Sequence, residues 1–359
     1  MSASVLVLEF LSAGGLQGDP AEAELMPLGV SMRDAMMHDL LALPPTVVRS
    51  VGVAVCAAAP LPALDRQDVR LHALQAGPGE SLLDFLAAQA RGFDAAWVVA
   101  PETGGLLGAC EAAVRRAAGP LAWLGSSASA LGVAASKTRT LAALAEAGVA
   151  TPLDADWAQV ARRWVVKPDD GAGAVATQVL ADRSAAMALA QQRRAAGEAV
   201  TLQPWVEGEA LSVSLLCGQR PGEAAARAEL LSLNRQRIAI DGAGAAPGEG
   251  RVRFDGVEPL CTDGRDPRWP ALQALAGVVQ RALPGLSGFV GIDLVWHPAA
   301  GPVVIEVNAR VSCAYIGLGQ RLGRTLAAEI LAMREAAARA AAALETAAQA
   351  QREWIDAAA

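Results

Sequence analysis

The chain has 359 residues, of which 53% are hydrophobic and 19% are charged, so it can bury two or three cores and is not disordered. Its formal net charge is −7 without a basic cluster, which argues against nucleic acid and anionic membranes as partners. Five scattered cysteines without a CxxC pair are typical of buried thiols in a reducing compartment. The N-terminus lacks a basic signal-peptide region and no apolar run of about 18 residues occurs, so we expect a cytoplasmic protein without a membrane span.

The N-terminal third of the chain alternates between strand and helix patterns. The predicted strands are Val5–Phe10, Thr46–Val55, Ala95–Ala100 and Leu121–Leu124, and the predicted helices are Met32–Leu43, Ser81–Gly92 and Leu106–Ala118. This alternation predicts an open parallel sheet, whose ligands bind beyond the carboxyl ends of its strands. Two polar loops follow predicted strands, EFLSAGG at residues 9–15 and PETGG at residues 101–105. Ordinary turn chemistry explains either loop alone, but Glu102 directly follows a buried strand and is the stronger candidate for a substrate contact.

The middle of the chain contains a lysine followed by a glycine-rich turn. Lys167 lies near the end of the predicted strand Trp164–Pro168, and the turn Asp169–Gly173 follows it. The lysine charge suits a phosphate and the glycines let backbone amides approach one, although an ordinary turn is the alternative and no Walker A signature is present. The other predicted elements are a helix over Lys137–Ala147 between Ser136 and Gly148, strands over Ala174–Leu180 and Val200–Val206, and a helix over Ser184–Ala196.

A short hinge, QPWVEGE at residues 203–209, joins two predicted strands. The backbone of such a hinge can hydrogen-bond an adenine ring, while Trp205 and Val206 supply an apolar slot. Beyond it the sequence predicts a strand within Ala224–Ile240, a glycine-rich loop at 241–251 and a helix over Trp269–Leu283. Strand alternation places Arg235 and Arg237 on one face and Asn234 and Gln236 on the other.

The most informative stretch is a predicted hairpin near the C-terminus. Its strands are Phe289–His297 and Pro302–Arg310, and its second face carries the apolar residues Ile292, Leu294, Trp296, Val303, Ile305 and Val307. Across the hairpin Asp293 stands opposite Glu306, with Asn308 further along the same face. Opposed carboxylates repel each other unless a cation lies between them, and an oxygen-only set is what Mg²⁺ prefers. A solvated face with incidental acids is the alternative.

These residues resemble the ATP-grasp superfamily of carboxylate–amine ligases. Lys137, Lys167 with its glycine loop, the hinge, Asp293 and the EVN at Glu306–Asn308 occur in the superfamily's order and approximate spacing, over roughly Ser127 to Gly317. The resemblance implies an α/β and α+β protein with an N-terminal Rossmann-like, pre-ATP-grasp domain and two lobes that sandwich ATP. We expect domains at 1–126, at 127–206 (the small lobe, a lid), at 207–331 (the lobe with the metal site) and at 332–359. The last is an alanine-rich helix that serves packing or an oligomer surface, and the protein could form a homodimer.

The resemblance also implies roles for single residues. By that analogy Lys137 and Lys167 contact phosphates, and Gly171, Ala172 and Gly173 fold over them as a lid. The main chain near Gln203, Trp205 and Val206 holds adenine, and Glu209 binds the ribose hydroxyls. Asp293, Glu306 and Asn308 bind two Mg²⁺ ions, for which Mn²⁺ is an alternative.

The chain departs from the superfamily pattern at three positions. One is Gln203 in the hinge, where glutamate is common, although the contact there is largely through the backbone. The first lysine follows Ser136 where an aspartate is usual, and Gly291 stands where D-Ala–D-Ala ligase-like members carry an arginine. The cation that stabilises the transition state must then come from elsewhere, and we expect Arg310 or Arg235 to supply it.

Within the superfamily the chain is most similar to the tyramine–glutamate ligases of methanofuran biosynthesis, through VLVLEFLSAGG, VVAPETGGLL, LLSLNRQ and NARVSCAYIGL. This similarity implies that ATP activates L-glutamate as an acyl phosphate and that tyramine or a related aromatic amine attacks it. Glu9 or Glu102 would bind the ammonium group of glutamate, and Tyr315 would help to form a slot for the amine. Two alternatives stay open, another ligase (of dipeptides, D-Ala–D-Ala-like, or adding glutamate to a protein) and a non-catalytic nucleotide-binding module.

Overall fold

The computed structural model describes residues 2–16, 22–63, 68–171, 173–242 and 249–339. These residues form a four-stranded sheet and an eight-stranded sheet, with helices packed against both. Within these ranges no helix is long and apolar enough to cross a lipid bilayer. Ala172 of the expected lid, residues 243–248 of the expected glycine-rich loop and residues 340–359 of the expected C-terminal helix lie outside the described residues.

The first sheet is parallel, as the alternation of strands and helices predicts. Its strands are β1 (Ala3–Glu9), β2 (Val48–Ala54), β3 (Leu71–Leu74) and β4 (Ala95–Val99), in the order β3-β2-β1-β4, and its helices are α1 (Glu22–Leu41), α2 (Leu82–Ala90) and α3 (Leu106–Ala118). Val5 and Val7 pack in one core with Met36 of α1, while Leu6 and Leu8 pack in the other with residues of α2 and α3. Because β1 is covered on both faces, it is a continuous apolar run rather than an alternating one.

The structure differs from the predictions for this domain at three elements. The helix predicted over Met32–Leu43 is the longer α1 (Glu22–Leu41). Leu121–Leu124 is not a strand, because Pro120–Ala122 form a 3₁₀ turn and only Trp123 makes a bridge, with Ala96. Proline fixes φ near −65°, which favours such a turn. The strand β3 was not predicted, since its four residues are only partly buried and show no clear alternation.

The second sheet is antiparallel and carries most of the expected site. Its strands are β5 (Trp164–Pro168), β6 (Gln178–Leu180), β7 (Val200–Pro204), β8 (Glu209–Gly218), β9 (Arg227–Asp241), β10 (Gly250–Cys261), β11 (Gly288–His297) and β12 (Gly301–Asn308), in the order β12-β11-β8-β9-β10-β6-β5-β7. The remaining helices are α4 (Ala128–Ala134), α5 (Lys137–Glu146), α6 (Ala155–Val160), α7 (Arg183–Ala195), α8 (Trp269–Ala282), α9 (Leu318–Leu322) and α10 (residues 326–339). Lys167 on β5 lies close enough to Glu306 on β12 for their charges to interact, although five strands lie between β5 and β12. The sheet therefore curls back on itself.

Two predicted boundaries in this sheet are also wrong. The strand expected over Ala174–Leu180 is only β6, because Ala174 (φ 60°) and Ala176 (φ 52°) adopt left-handed backbone, which interrupts an extended strand. The strand β10 begins at Gly250, within the expected glycine-rich loop. Two register shifts against β9 interrupt its side-chain alternation, which is why the pattern did not reveal it.

The predicted hairpin of β11 and β12 is confirmed, with Asp293 directly opposite Glu306. A register shift follows this pair, so that Leu294 pairs with Val304 and Ile305 is the extra residue. The apolar face consequently contains Val304 where the sequence predicted Val303 and Ile305. This face packs in one core with Leu272, Leu275, Ala276 and Val279 of α8.

Candidate active site

Two opposed carboxylates form the centre of the site. Burial, and next the charge of Glu306, raise the pKa of Asp293 to about 7. The Nδ2 of Asn308 donates to the Oδ2 of Asp293 at 3.3 Å, which brings the third expected ligand to the pair. Opposed carboxylates repel each other unless a cation lies between them, and the oxygen donors of this partly buried pair fit Mg²⁺ in type. The chemistry of the donor set therefore fits the expected metal ion.

Two lysines from different elements converge on the same pair. The Nζ of Lys137, at the first residue of α5, lies 3.5 Å from the Oε2 of Glu306 and donates to the carbonyl oxygen of Gly171 at 2.8 Å. Lys167 on β5 is 5% exposed, and burial lowers its pKa to about 8, against the opposing effect of Glu306. The structure thus brings together both lysines, Gly171 of the expected lid and the two carboxylates, as the sequence predicts.

Asp169 is a site residue that sequence reasoning missed. Its Oδ2 accepts from the Oγ of Ser136 at 2.5 Å, and its Oδ1 accepts from the Oγ1 of Thr138 at 2.5 Å and of Thr201 at 2.6 Å. Burial by itself raises the pKa of Asp169, but these hydrogen bonds outweigh it and lower the pKa to about 2. The backbone N–H of Lys137 also donates to the carbonyl oxygen of Asp169 at 2.8 Å. Asp169 therefore fixes the start of α5 to the end of β5.

This contact explains one departure from the superfamily pattern. The usual aspartate before the first lysine is Ser136 here, and the structure supplies a carboxylate to that position from Asp169 instead. The signal in the sequence was the serine at position 136, where the superfamily usually has an aspartate.

Arg310 is partly buried beside Asp293 and Glu306, and a glutamate of the first domain binds it. Its Nε and Nη2 donate to the two carboxylate oxygens of Glu102 at 2.8 and 3.0 Å, and its Nη1 donates to the carbonyl oxygen of Val311 at 3.1 Å. Burial lowers the pKa of Arg310, but the charge of Glu102 outweighs this and leaves the pKa above its ordinary value. The sequence predicted both residues for the site, and the structure shows that they contact each other.

The same loop of the first domain also touches the expected lid. The backbone N–H of Gly104 donates to the Oδ2 of Asp170 at 2.8 Å. A Cβ on Gly171 would lie 3.0 Å from the Oγ1 of Thr103, so the two loops pack closely there. Residues 101–105 consequently contact both Arg310 and the loop that contains Asp170 and Gly171.

Arg235 and Glu209 lie on the other face of the sheet. Across the sheet, Asp293 of β11 lies opposite Ser212 of β8, and Ser212 lies opposite Asn234 of β9, so these three residues form one row. Arg235 lies opposite Leu211 and belongs to the neighbouring row. Side chains of neighbouring rows point to opposite faces, so Arg235 faces α8 rather than the metal pair. There it contacts the Oε1 of Glu209 at 2.9 Å, and Arg268 contacts the Oε2 at 2.6 Å.

This register corrects the expectation that Arg235 serves beside the metal ligands. Gln236, the next residue along β9, hydrogen-bonds the carboxyl group of Asp293 instead. Its position follows from the strand alternation that the sequence already shows. The expected contact of Glu209 with ribose is not supported by this placement either, since both carboxylate oxygens are paired with arginines.

The hinge is partly buried, and Arg163 contacts two of its residues, Trp205 and Glu207. Gln203 is 3% exposed, and its Oε1 has no hydrogen-bond partner among the described residues. Val206 is buried as well, while the ring of Trp205 lies under the guanidinium of Arg163, 4.8 Å from its centroid. Arg163 in turn pairs with Glu207 at 2.7 Å. The adenine contact of this hinge stays a prediction.

Two residues expected to contact substrate are already engaged. Glu9 is buried, and its carboxylate accepts from the backbone N–H groups of Leu11 at 3.2 Å and Ser12 at 2.7 Å. Burial raises the pKa of Glu9 against the effect of these bonds. Tyr315 does not line an open slot, which corrects the expectation of an amine pocket around it. Its ring is 3% exposed, packs edge-on against Trp97 and Phe289, and its hydroxyl donates to Asp39.

The fold and these residues define a class of protein. The family model of the ATP-grasp domain matches residues 134–314, and that of the pre ATP-grasp 3 domain matches residues 51–131. The chain therefore belongs to the ATP-grasp family, which confirms the resemblance and the fold class that the sequence predicts.

Among characterised relatives, the chain is similar to the tyramine–L-glutamate ligase of Methanocaldococcus fervens, with 31% identity over 117 residues. That match covers 33% of this chain and 32% of the relative. An ATP-grasp superfamily protein of Archaeoglobus fulgidus shares the fold with a TM-score of 0.62 and 20% identity, over 91% of this chain and 87% of that one. The D-alanine–D-alanine ligase of Bacillus anthracis complexed with ATP does so with a TM-score of 0.60 and 14% identity, over 95% and 98%. An L-amino acid ligase of Bacillus licheniformis has a TM-score of 0.57 and 16% identity, over 93% and 74%.

Proposed function

We propose that the protein is an ATP-dependent carboxylate–amine ligase that forms an amide through an acyl phosphate. One observation carries the proposal, the convergence of Lys137 and Lys167 on the opposed carboxylates of Asp293 and Glu306. The lysines suit the phosphates of a nucleotide, and the carboxylates suit its divalent cation. A serine or cysteine nucleophile paired with histidine is not required, because the substrate carboxylate itself attacks ATP.

The chemistry has two steps. The carboxylate oxygen of the acid attacks the γ-phosphorus of ATP, the bond to the β-phosphate breaks, and ADP leaves. The amine then attacks the carbonyl carbon of the acyl phosphate, and phosphate and one proton leave as the amide forms. Mg²⁺ held by Asp293, Glu306 and Asn308 would neutralise charge on the phosphates.

The chain's own residues provide the remaining charges. Lys137 and Lys167 lie where they can neutralise the transferring phosphoryl group. Arg310 lies within electrostatic range of Asp293 and Glu306, and we assign to it the stabilisation of charge that develops in the transition state. Gly171 and Gly173 have φ values of 93° and 71°, and their backbone freedom suits a loop that closes over ATP.

We propose L-glutamate as the acid and tyramine or a related aromatic amine as the acceptor, in the synthesis of a methanofuran-type cofactor. The support is the similarity to a ligase of that specificity, which covers a third of this chain. A cytoplasmic location accords with this proposal and with five cysteines that all carry free thiols. The main alternative is a ligase for other amino acids, since D-alanine–D-alanine and L-amino acid ligases share the fold.

The test is an ADP-release screen in which glutamate is combined with tyramine, tyrosine, D-alanine and non-aromatic amines, followed by the mass of each product. We expect the highest kcat/KM with glutamate and an aromatic amine, and a product lighter than the sum of its substrates by one water. A higher kcat/KM with D-alanine or a non-aromatic amine would refute the substrate assignment and leave the ligase assignment standing. If no acid and amine pair raised ADP release, the ligase assignment itself would be wrong.

A further inference from the structure

We propose that Glu102 is a positioning residue that orients Arg310 toward the reacting phosphoryl group, and that it is not the ligand of the substrate ammonium. This inference rests on the proposed ligase function. It makes the first domain part of the catalytic machinery, because Glu102 belongs to the loop after β4 while Arg310 follows β12.

The pair has the geometry of a fixed clamp. Nε and Nη2 of Arg310 meet the two oxygens of Glu102 side by side, at 2.8 and 3.0 Å, across 208 residues of sequence. Bidentate pairing of this kind fixes the plane of the guanidinium as well as its distance. The side chains are 11% and 7% exposed, so water competes little for either partner. The orientation of Arg310 is therefore set by Glu102.

The clamp leaves part of the guanidinium available. Arg310 has five N–H groups, of which two bind Glu102 and one binds the carbonyl oxygen of Val311. The other two belong to Nη1 and Nη2. The charges of Asp293 and Glu306 act on this guanidinium, so it lies within electrostatic range of both carboxylates. Two N–H donors in one plane suit the oxygens of a phosphoryl group.

The neighbourhood explains why this chain needs such a clamp. Gly291 leaves the position two residues before Asp293 without a cation, and a Cβ there would make only ordinary contacts, at 3.6 Å to Asn308 and 3.8 Å to Ser312. Arg310 is then the arginine to which we assign the transition-state role, beside the phosphate contacts assigned to Lys137 and Lys167. A long arginine side chain has many rotamers, and a partner that fixes one of them raises the rate by pre-orienting the charge.

The same observations argue against an ammonium ligand. Both oxygens of Glu102 already accept from Arg310, and only 7% of its side chain is exposed. A substrate ammonium group would have to displace the guanidinium or share a carboxylate that the fold has enclosed.

The two roles predict different kinetics for Glu102→Gln, which keeps the shape and one acceptor. A positioning role lowers kcat by about 100-fold and changes the KM for the acid and for the amine by less than about threefold. The double variant Glu102→Gln/Arg310→Ala should be no slower than Arg310→Ala alone, because the two residues act as one unit. A KM for either substrate raised about tenfold or more at unchanged kcat, or additive losses in the double variant, would overturn the proposal.

A matched control is available in the same domain. Glu111 on α3 is a buried glutamate that pairs with Arg115 at 3.2 Å, away from the residues of the site. Glu111→Gln should leave kcat within about twofold of wild type. A loss equal to that of Glu102→Gln would mean that the first domain is merely weakened, which overturns the positioning role. If Glu102→Gln does not fold, Glu102→Asp is compared with Arg310→Lys in the same assays, and the same split between kcat and KM applies.

A binding measurement separates this inference from the proposed function. Wild type and Glu102→Gln are titrated with Mg²⁺ and ADP, with and without aluminium fluoride as a mimic of the transferring phosphoryl group. We expect Glu102→Gln to bind ADP alone as wild type does, and the ADP–aluminium fluoride pair about tenfold or more weakly. This readout needs no acid or amine, so it tests the clamp even if the substrate screen fails. Equal affinity of both proteins for ADP with aluminium fluoride would overturn it.

Discussion

Replacing Asp169 with asparagine tests the junction between α5 and β5, since it removes one charge and keeps the size of the side chain. The carboxylate accepts from Ser136, Thr138 and Thr201, and its pKa is lowered from 3.8 to about 2. For a fully shielded group that difference corresponds to about 2.4 kcal/mol of stability. Because Asp169 is partly exposed, solvent screening reduces the expected loss to about 1–2 kcal/mol.

The pH dependence of this loss has a definite sign. A carboxyl group whose pKa is depressed in the folded state contributes its stability above the unfolded pKa, near 3.8, and loses it as the pH falls toward about 2. The difference in unfolding free energy between wild type and Asp169→Asn should therefore be constant from pH 7 to about 5. About half of it should be gone at pH 3.

The assay is urea denaturation followed by tryptophan fluorescence, because Trp164 on β5 lies beside the junction. The neighbouring Asp170→Asn is the matched control. Among the described residues Asp170 accepts from the N–H of Gly104 alone, and asparagine keeps that acceptor. We expect the control to change the free energy of unfolding by less than about 0.5 kcal/mol. Equal losses in the two variants, or a loss for Asp169→Asn that does not shrink on acidification, would refute the reasoning.

Three further outcomes follow from the site. Glu306→Gln should abolish ADP formation. It should leave the melting temperature nearly unchanged, because it also relieves the repulsion between Glu306 and Asp293. Wild-type turnover in this variant would show that the metal assignment is wrong. Arg310→Ala should lower kcat by about 100-fold or more, whereas Arg235→Ala, on the opposite face, should change it by less than about threefold; the reverse order in initial-rate assays would contradict the register argument. Amides of residues 169–174 should exchange hydrogen more slowly with an ATP analogue than without it, and equal protection would count against a lid.

Much of the site could be predicted because its signals are local. The opposition of Asp293 and Glu306 follows from a turn near Gly301, which has a φ of 75°, and from strand alternation on either side. The start of α5 follows from Ser136, whose hydroxyl accepts from the third N–H of the helix. Sequence spacing of this kind determines which residues share a face within one hairpin or one helix, since the geometry involves only neighbours along the chain.

Other features were decided by tertiary structure. The pairing of Glu102 with Arg310 joins residues 208 positions apart, and no local pattern encodes which loop will meet β12. Strand alternation shows which residues of β9 share a face with Arg235. It does not show which face of β9 carries the expected metal ligands, because that depends on the register of β9 against β8 and of β8 against β11. The shift after Asp293 likewise moved Val304 into the core in place of Ile305. Alternation with a period of two shows only which residues of one strand lie on the same side. Which side of the sheet they face is determined by the order and register of the strands across the curled sheet.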